Sequence, residues 1–343
     1  FISRKLKRLS DDTDSITLPD VLAAKFDDRW HLIRGVAVAI IAVMVTTYVS
    51  AQMVATGKAF SGFLGLDYRA GVIIGAVIII SYTFVGGYKA VSYTDVVQGV
   101  LMLAGLIAVP LVAINAAGGW GGMTATLREY DPGFVDMFSV LDGSTAGFVA
   151  AVSFAAIGLP FLGVPQMLIR YMSARDDTEL KKARIVSITV LFIFLFGAVT
   201  AGIAGRALFP GLEDSEQVFP TLASELFPPL LTGVLFVIVL SAIMSTVDSL
   251  LLLASSSIVR DTMQKILGNP ASDATLAGYG KIVTVIIGVI AVFVAVYMAE
   301  NKLIFWFVLF SWSGLGAAFG PVVLALLYDR RTTGAGVVAG MLG

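Results

Sequence analysis

The stretch Gly158-Leu-Pro-Phe-Leu-Gly-Val-Pro165 interrupts a long apolar segment with two glycines and two prolines. Each proline removes an amide donor and crowds the carbonyl four residues earlier, so an unbroken helix cannot run through the stretch. The sequence therefore predicts a discontinuous helix with Gly158, Pro160, Gly163 and Pro165 at the break. An ordinary proline kink, as predicted at Pro110, is the alternative.

The apolar character continues far beyond the break. Of 343 residues, 57% are hydrophobic and 14% are charged, against about 45–50% and roughly 25% in soluble domains. Eight apolar runs approach the ~20 residues that a bilayer span needs, and a ninth begins near Gly334. The runs cover residues 35–57, 70–87, 91–116, 146–169, 185–204, 228–259, 282–299 and 303–327. This pattern predicts an all-α polytopic membrane protein. A single transmembrane domain is expected to cover residues 1–343 and to contact membrane lipid.

The basic residues predict the orientation of this domain. If the segment before residue 35 lies inside and the runs alternate, 18 of the 23 lysines and arginines fall in inner loops. Cytoplasmic loops retain basic residues, so the residue-1 end is predicted to be cytoplasmic in an inner or plasma membrane. The 24 carboxylates show no such bias, and only Asp95 and Asp248 lie inside the predicted spans.

Composition also limits the chemistry. Cysteine is absent and His31 is the only histidine, so disulfides and thiolate metal sites are excluded and a histidine-based site is not expected. Neither a phosphate-binding loop nor a dinucleotide motif occurs, so we expect no organic cofactor and no nucleic-acid partner. The chain opens at Phe1 and ends in an apolar run, and we therefore expect an internal segment of a longer protein; its oligomeric state stays open.

One predicted span carries a polar stripe. Ser241, Ser245, Asp248 and Ser249 recur at helical spacing, and an ionisable side chain at this depth usually faces the bundle interior or a water-filled path. Hydroxyl and carboxylate oxygens suit a hard monovalent cation. Ser241 and Asp248 are thus candidates for an ion path, with close helix packing through small residues as the alternative.

Asp95 permits two interpretations. The spacing Ser92-x-x-Asp95 resembles a helix-capping box, with Lys89 as a surface partner of the carboxylate. A cation-binding carboxylate at the inner mouth of the span is the other interpretation. Two interpretations also exist for Trp312 and for Tyr48 and Gln52, which share a helix face. Each side chain either packs within the bundle or contacts a ligand.

Four motifs resemble, in order along the chain, those of the sodium/solute symporter family, most closely its sodium/proline branch. They are Tyr82-Thr-Phe-Val-Gly-Gly87 with Tyr93-Thr-Asp95, Pro165-Gln-Met-Leu-Ile-Arg-Tyr-Met172, Ala242-Ile-Met-Ser-Thr-Val-Asp-Ser249 and Gly316-Ala-Ala-Phe-Gly-Pro-Val-Val323. The resemblance implies a LeuT-type fold of two inverted five-helix repeats. This chain would hold core helices three to ten and the start of the next, truncated at both ends.

The resemblance also implies site residues. It assigns a sodium ion to the Ala242 carbonyl and the Ser245 and Thr246 hydroxyls, and a second cation site or relay to Asp95. It places Tyr48, Ile157 and Phe161 at solute-site positions of the family, and Gln52, which shares a helix face with Tyr48, and Trp312 complete the predicted solute residues. Ile157 and Phe161 stand where the proline branch carries Trp and Tyr, which favours another small amino acid or a carboxylate over proline itself.

The predicted function is sodium-coupled symport of a small organic solute, an amino acid such as proline or a small carboxylate, by alternating access. Sodium is the only predicted ion. One alternative is an intramembrane aspartyl hydrolase using Asp95 and Asp248, although these carboxylates are predicted at different depths. The other is a transporter-like sensor domain of a signalling protein.

Overall fold

The computed structural model describes residues 2–136, 139, 143–297 and 303–343, and every regular element in these ranges is helical. The α-helices are α1 (Ile2–Asp12), α2 (Leu18–Lys25), α3 (Leu32–Leu64), α4 (Tyr68–Ala116), α5 (Gly119–Tyr130), α6 (Thr145–Ala156), α7 (Pro165–Met172), α8 (Asp177–Leu208), α9 (Val218–Leu226), α10 (Pro229–Ser256), α11 (Asp273–Tyr297), α12 (Ile304–Tyr328) and α13 (Gly334–Leu342). Short 3₁₀ turns occupy Pro132–Val135, Leu159–Leu162 and Ser215–Gln217, and α10 continues as a π-helix over Ser257–Ile266.

Seven helical stretches among the described residues are long and apolar enough to cross a membrane. One of them, α4, has 49 residues, with a non-helical Gly87 inside it at φ 65° and ψ 174°. The hydroxyls of Tyr82 and Thr94 touch across this point, although twelve residues of straight helix extend ~18 Å. The chain therefore turns at Gly87 into two arms, which correspond to the second and third predicted spans, and the multi-pass membrane architecture is confirmed.

The break predicted at Gly158 is also present. Helix α6 ends at Ala156, a 3₁₀ turn covers Leu159–Leu162, and α7 begins at Pro165. Pro165 occupies the first turn of α7, where its missing amide leaves no helix bond unmade. Pro110, in contrast, lies inside the second arm of α4. The doubled Gly/Pro pattern thus produces a discontinuity and the single proline does not.

The centre of the bundle is α3. It packs against α4, α10, α11 and α12, and its side chains Ile41, Val45, Val49 and Met53 are completely buried at helical spacing. Peripheral helices behave differently, since Phe192 and Phe196 of α8 are 70% and 59% exposed. Such apolar outer faces suit a hydrocarbon surrounding rather than water.

Contacts at the two ends agree with the predicted alternation of loops. At the end predicted to be inner, the Arg8 guanidinium lies 2.7 Å from the Asp177 carboxylate. At the opposite end, the Lys58 ammonium lies 2.9 Å from Asp214 and 2.7 Å from Glu216. Loops that were predicted to share a side of the membrane therefore do come together.

A buried ion network anchors the end of α10 that is predicted to be inner. The Arg34 guanidinium pairs with Asp261 of the π-helix and, at 2.9 Å, with Asp20 of α2. The Thr17 hydroxyl donates to the other Asp261 oxygen at 2.7 Å. Asp261 is fully buried, so these partners compensate for its desolvation. The network ties α2, α3 and α10 together beneath the polar stripe of α10.

Candidate functional site

Three oxygen atoms converge within one turn of α10. The Ala242 carbonyl accepts a hydrogen bond from the Ser245 hydroxyl at 3.0 Å and another from the Thr246 hydroxyl at 3.1 Å. Each hydroxyl donates its one proton to the carbonyl, so the lone pairs of its oxygen stay free to accept a hydrogen bond or to bind a cation. The two hydroxyl oxygens therefore remain able to coordinate a hard cation, whereas the Ala242 carbonyl is occupied by their protons and would have to exchange them for the ion.

This turn of α10 opens into a cavity of about 390 Å³, the outer cavity. Ala242 and Thr246 line it together with Gln52 of α3, and so do Lys58 and Glu216, which belong to the end of the bundle predicted to be outer. Gln52, a predicted solute residue, thus lies with two residues that the family resemblance assigns to sodium. Tyr48, one turn away on α3, is partly buried against the main core and lines neither cavity described here.

The broken segment packs on α12. The Trp312 indole nitrogen donates to the Ile157 carbonyl at 3.4 Å, so a carbonyl at the end of α6 has a side-chain partner. The Phe161 ring meets the Trp312 ring edge-on, with centroids 4.6 Å apart. Ile157, Phe161 and Trp312, three of the predicted solute residues, therefore do form one group.

Glycines make this close packing possible. A Cβ atom added at Gly163 would lie 2.1 Å from the backbone nitrogen of Gly320, and one at Gly316 would lie 2.4 Å from the Cα of Pro160. No side chain fits between the two backbones at either point. We name the contact of residues 157–163 with α12 the seam.

Asp95 has a partner that the sequence did not predict. Its Oδ2 accepts from Nη2 of Arg170 at 2.6 Å, so Lys89 as its ion-pair partner was a wrong prediction. The capping box was also wrong, because the Ser92 hydroxyl donates to the Tyr88 carbonyl at 2.9 Å and Asp95 lies in the second turn after the Gly87 break rather than at a helix start capped by Ser92.

Asp248 lies at the same level as Asp95. Arg170 Nη2 also donates to the hydroxyl of Ser249 at 2.7 Å, and Ser249 directly follows Asp248. The prediction of different depths is wrong because the α4 arm and α7 both approach α10 here. Asp248 is completely buried, and among the described residues its Oδ2 has no hydrogen-bond partner. Ser241, two turns earlier, is 7% exposed.

Arg170 is the residue to which sequence reasoning assigned no site role, since it figured there only as one of the basic inner-loop residues and as a member of a family motif. It belongs to α7 and shares a face with Gln166 at i, i+4 spacing. Both line a second space of about 560 Å³, the inner cavity, together with Ser249 and Arg260. The polar pair Gln166 and Arg170, at i, i+4 spacing directly after the helix break, is the sequence pattern that could have indicated this site.

Comparison with known proteins gives a consistent result. Residues 2–343 match the Sodium:solute symporter family. The chain is 36% identical to the high-affinity proline transporter PutP of Bacillus subtilis, over 100% of this chain and 72% of that protein. It is 34% identical to the osmoregulated proline transporter OpuE of the same organism, over 96% and 66%. A Staphylococcus aureus sodium/proline symporter is 36% identical over 96% of this chain and 64% of its own length.

The fold comparison agrees. A Na+-coupled sialic acid symporter in its substrate-bound outward-open state superposes with a TM-score of 0.75 at 20% identity, over 95% of this chain and 69% of that one. The predicted LeuT-type fold is therefore confirmed. Because the relatives are transporters and not enzymes, the aspartyl hydrolase interpretation is wrong.

Proposed function

The chain belongs to the Sodium:solute symporter family, and from that premise we propose that its full-length protein takes up a small organic solute together with sodium by alternating access. The observation that carries the proposal is the convergence of the Ala242 carbonyl with the Ser245 and Thr246 hydroxyls beside the outer cavity. Sodium is the coupling ion, and the mechanism requires no organic cofactor.

Two cation positions are proposed. The first uses Ala242, Ser245 and Thr246, whose neutral oxygens suit a monovalent ion. The second uses Asp95, with Asp248 and Ser241 along the ion path. The unpartnered and buried Oδ2 of Asp248 supports it, since a buried carboxylate oxygen needs a hydrogen-bond donor or a cation.

The solute position is proposed at the seam. Ile157, Phe161 and Trp312 supply apolar and aromatic surface there, and Tyr48 and Gln52 of α3 are proposed as further solute contacts. Helix breaks expose backbone amides and carbonyls, which can bind the carboxylate and ammonium of an amino acid. Proline or a similar small amino acid, or a small carboxylate, fits this combination, and the three relatives described above carry proline in their names.

The residue-1 end is proposed to be cytoplasmic. The concentration of 18 of 23 basic residues in one set of loops supports this orientation. Because the chain has no cysteine, single variants Asp12→Cys and Glu213→Cys report the two sides. In intact cells an impermeant thiol reagent should label Cys at 213 and not at 12, and the reverse result would invert the orientation.

Uptake into proteoliposomes containing the full-length protein tests the transport proposal. A panel of radiolabelled amino acids and small carboxylates is offered with an inward sodium gradient, and again with potassium replacing sodium. We expect at least one solute to accumulate only with sodium. Accumulation that is equal in both media would contradict the proposed function.

A further inference from the structure

Arg170 bridges three helices through one nitrogen atom. Its Nη2 donates to Asp95 Oδ2 on α4 at 2.6 Å and to the Ser249 hydroxyl on α10 at 2.7 Å. Hydrogen bonds to an ionised carboxylate from a guanidinium are strong and short. The guanidinium thus occupies the oxygen atoms that a metal cation at Asp95 would use.

The bridge leaves the local oxygens incompletely satisfied. Among the described residues, Asp95 Oδ1 and Asp248 Oδ2 are buried and accept no hydrogen bond. Arg170 Nη2 donates to the other oxygen of Asp95, Oδ2, and to neither of these two. A small cation that coordinates several oxygens at once would satisfy atoms that the planar guanidinium does not reach, so the two cations compete unequally for one set of oxygens.

Arg170 also has room to leave. Its side chain is 45% exposed, whereas that of Asp95 is 12% exposed. Arg170 borders the inner cavity of about 560 Å³, and Gln166, one turn earlier on α7, borders the same cavity. The Oε1 atom of Gln166 is buried and unpartnered among the described residues, so it is an available acceptor for the released guanidinium.

We infer that Arg170 is a tethered counter-cation, which holds Asp95 and Ser249 when sodium is absent from that position and is displaced into the inner cavity when sodium binds. Arg170 belongs to the short helix that starts at Pro165, immediately after the break. Exchange of the Arg170 guanidinium with sodium therefore moves a charge on α7, the helix that directly follows the seam. This movement couples the second cation position to the solute position. This role rests on the proposed sodium symport and assigns a positioning residue to it.

Direct binding of radioactive sodium to the purified full-length protein tests the competition. Arg170→Gln should raise the apparent sodium affinity about fivefold, the factor expected for an ion pair of partial exposure. Arg170→Lys keeps the positive charge and loses the planar guanidinium. Its apparent sodium affinity should therefore lie between those of Arg170→Gln and the original protein. The matched control is Arg175→Gln. Arg175 is an exposed arginine three residues after the end of α7 that makes no salt bridge with the described residues, and the sodium affinity of this variant should not change.

Chemical restoration of the charge gives a second readout. The chain has no cysteine of its own, so Arg170→Cys introduces one thiol into it. Aminoethyl methanethiosulfonate adds a positive charge and should return the sodium affinity toward the original value, whereas the neutral methyl methanethiosulfonate should not. Equal effects of the two reagents, or an Arg170→Gln affinity that is unchanged or lower, would overturn the inference.

The two proposals fail in different ways. An original protein without saturable sodium binding would contradict the symport proposal itself. Normal sodium binding that is indifferent to the charge at position 170 would contradict only the role of Arg170.

Discussion

Helix α10 and the seam supply polar atoms by different means. On α10 the helix is intact and side-chain hydroxyls bond the Ala242 carbonyl within one turn. At the seam the helix itself is broken, and backbone groups such as the Ile157 carbonyl find partners on α12. Substitutions of the α10 hydroxyls should therefore leave the fold intact and lower the ion affinity. Substitutions at the seam should instead destabilise the fold before they affect binding.

The largest expected effect is at Gly163. In Gly163→Ala the new Cβ would lie 2.1 Å from the Gly320 nitrogen, and neither backbone can yield without separating the seam. Overpacking of this kind costs about 1–3 kcal/mol, and more where backbone is involved. We expect a sharply reduced yield of monodisperse protein in detergent. Gly158→Ala is the control, because its nearest neighbour is 4.0 Å away, and similar yields for the two variants would contradict the close contact.

A second comparison separates rigid from flexible neighbours on α12. Gly316→Ala would place Cβ 2.4 Å from the Cα of Pro160, whereas Gly314→Ala would place it 2.6 Å from the Met44 sulfur. A methionine side chain can move aside and a proline backbone cannot. The thermal midpoint of Gly316→Ala should therefore fall well below that of Gly314→Ala. The opposite order would show that the seam is looser than described.

The smallest expected effect is at Trp312. Trp312→Phe retains a ring against Phe161 and loses the hydrogen bond to the Ile157 carbonyl, which is long at 3.4 Å. A neutral hydrogen bond contributes about 1 kcal/mol, so solute affinity should fall by less than about tenfold. Sodium affinity measured in the absence of solute should stay the same. A loss of sodium affinity alone would place Trp312 in the cation site instead.

Much of the fold was predictable because its signals are local. Apolar runs and charged loops located the spans, and the paired Gly/Pro positions located the break, since proline geometry acts within one turn. The turn at Gly87 was predictable as a loop between two spans, because the gap between two apolar runs is also a local signal. The ion pair of Arg34 with Asp261 could not be predicted, because the two residues are 227 positions apart in sequence.

The site was predictable to a lesser degree. Ser245 and Thr246 share a helix turn with Ala242, so their convergence follows from spacing alone. The meeting of Asp95, Arg170 and Ser249 depends on how three helices pack, which no local pattern specifies. Depth estimates for Asp95 and Asp248 failed for that reason.

Sodium dependence of uptake by Ser245→Ala and Thr246→Ala in the full-length protein tests the central claim most directly. The control is Thr200→Ala on α8, because the Thr200 hydroxyl bonds the Phe196 carbonyl four residues earlier, as Thr246 bonds that of Ala242. Losing one oxygen ligand to a charged ion should raise the half-saturating sodium concentration on the order of tenfold, with no change in Thr200→Ala. Unchanged sodium dependence in both site variants would contradict the assignment of the cation to α10.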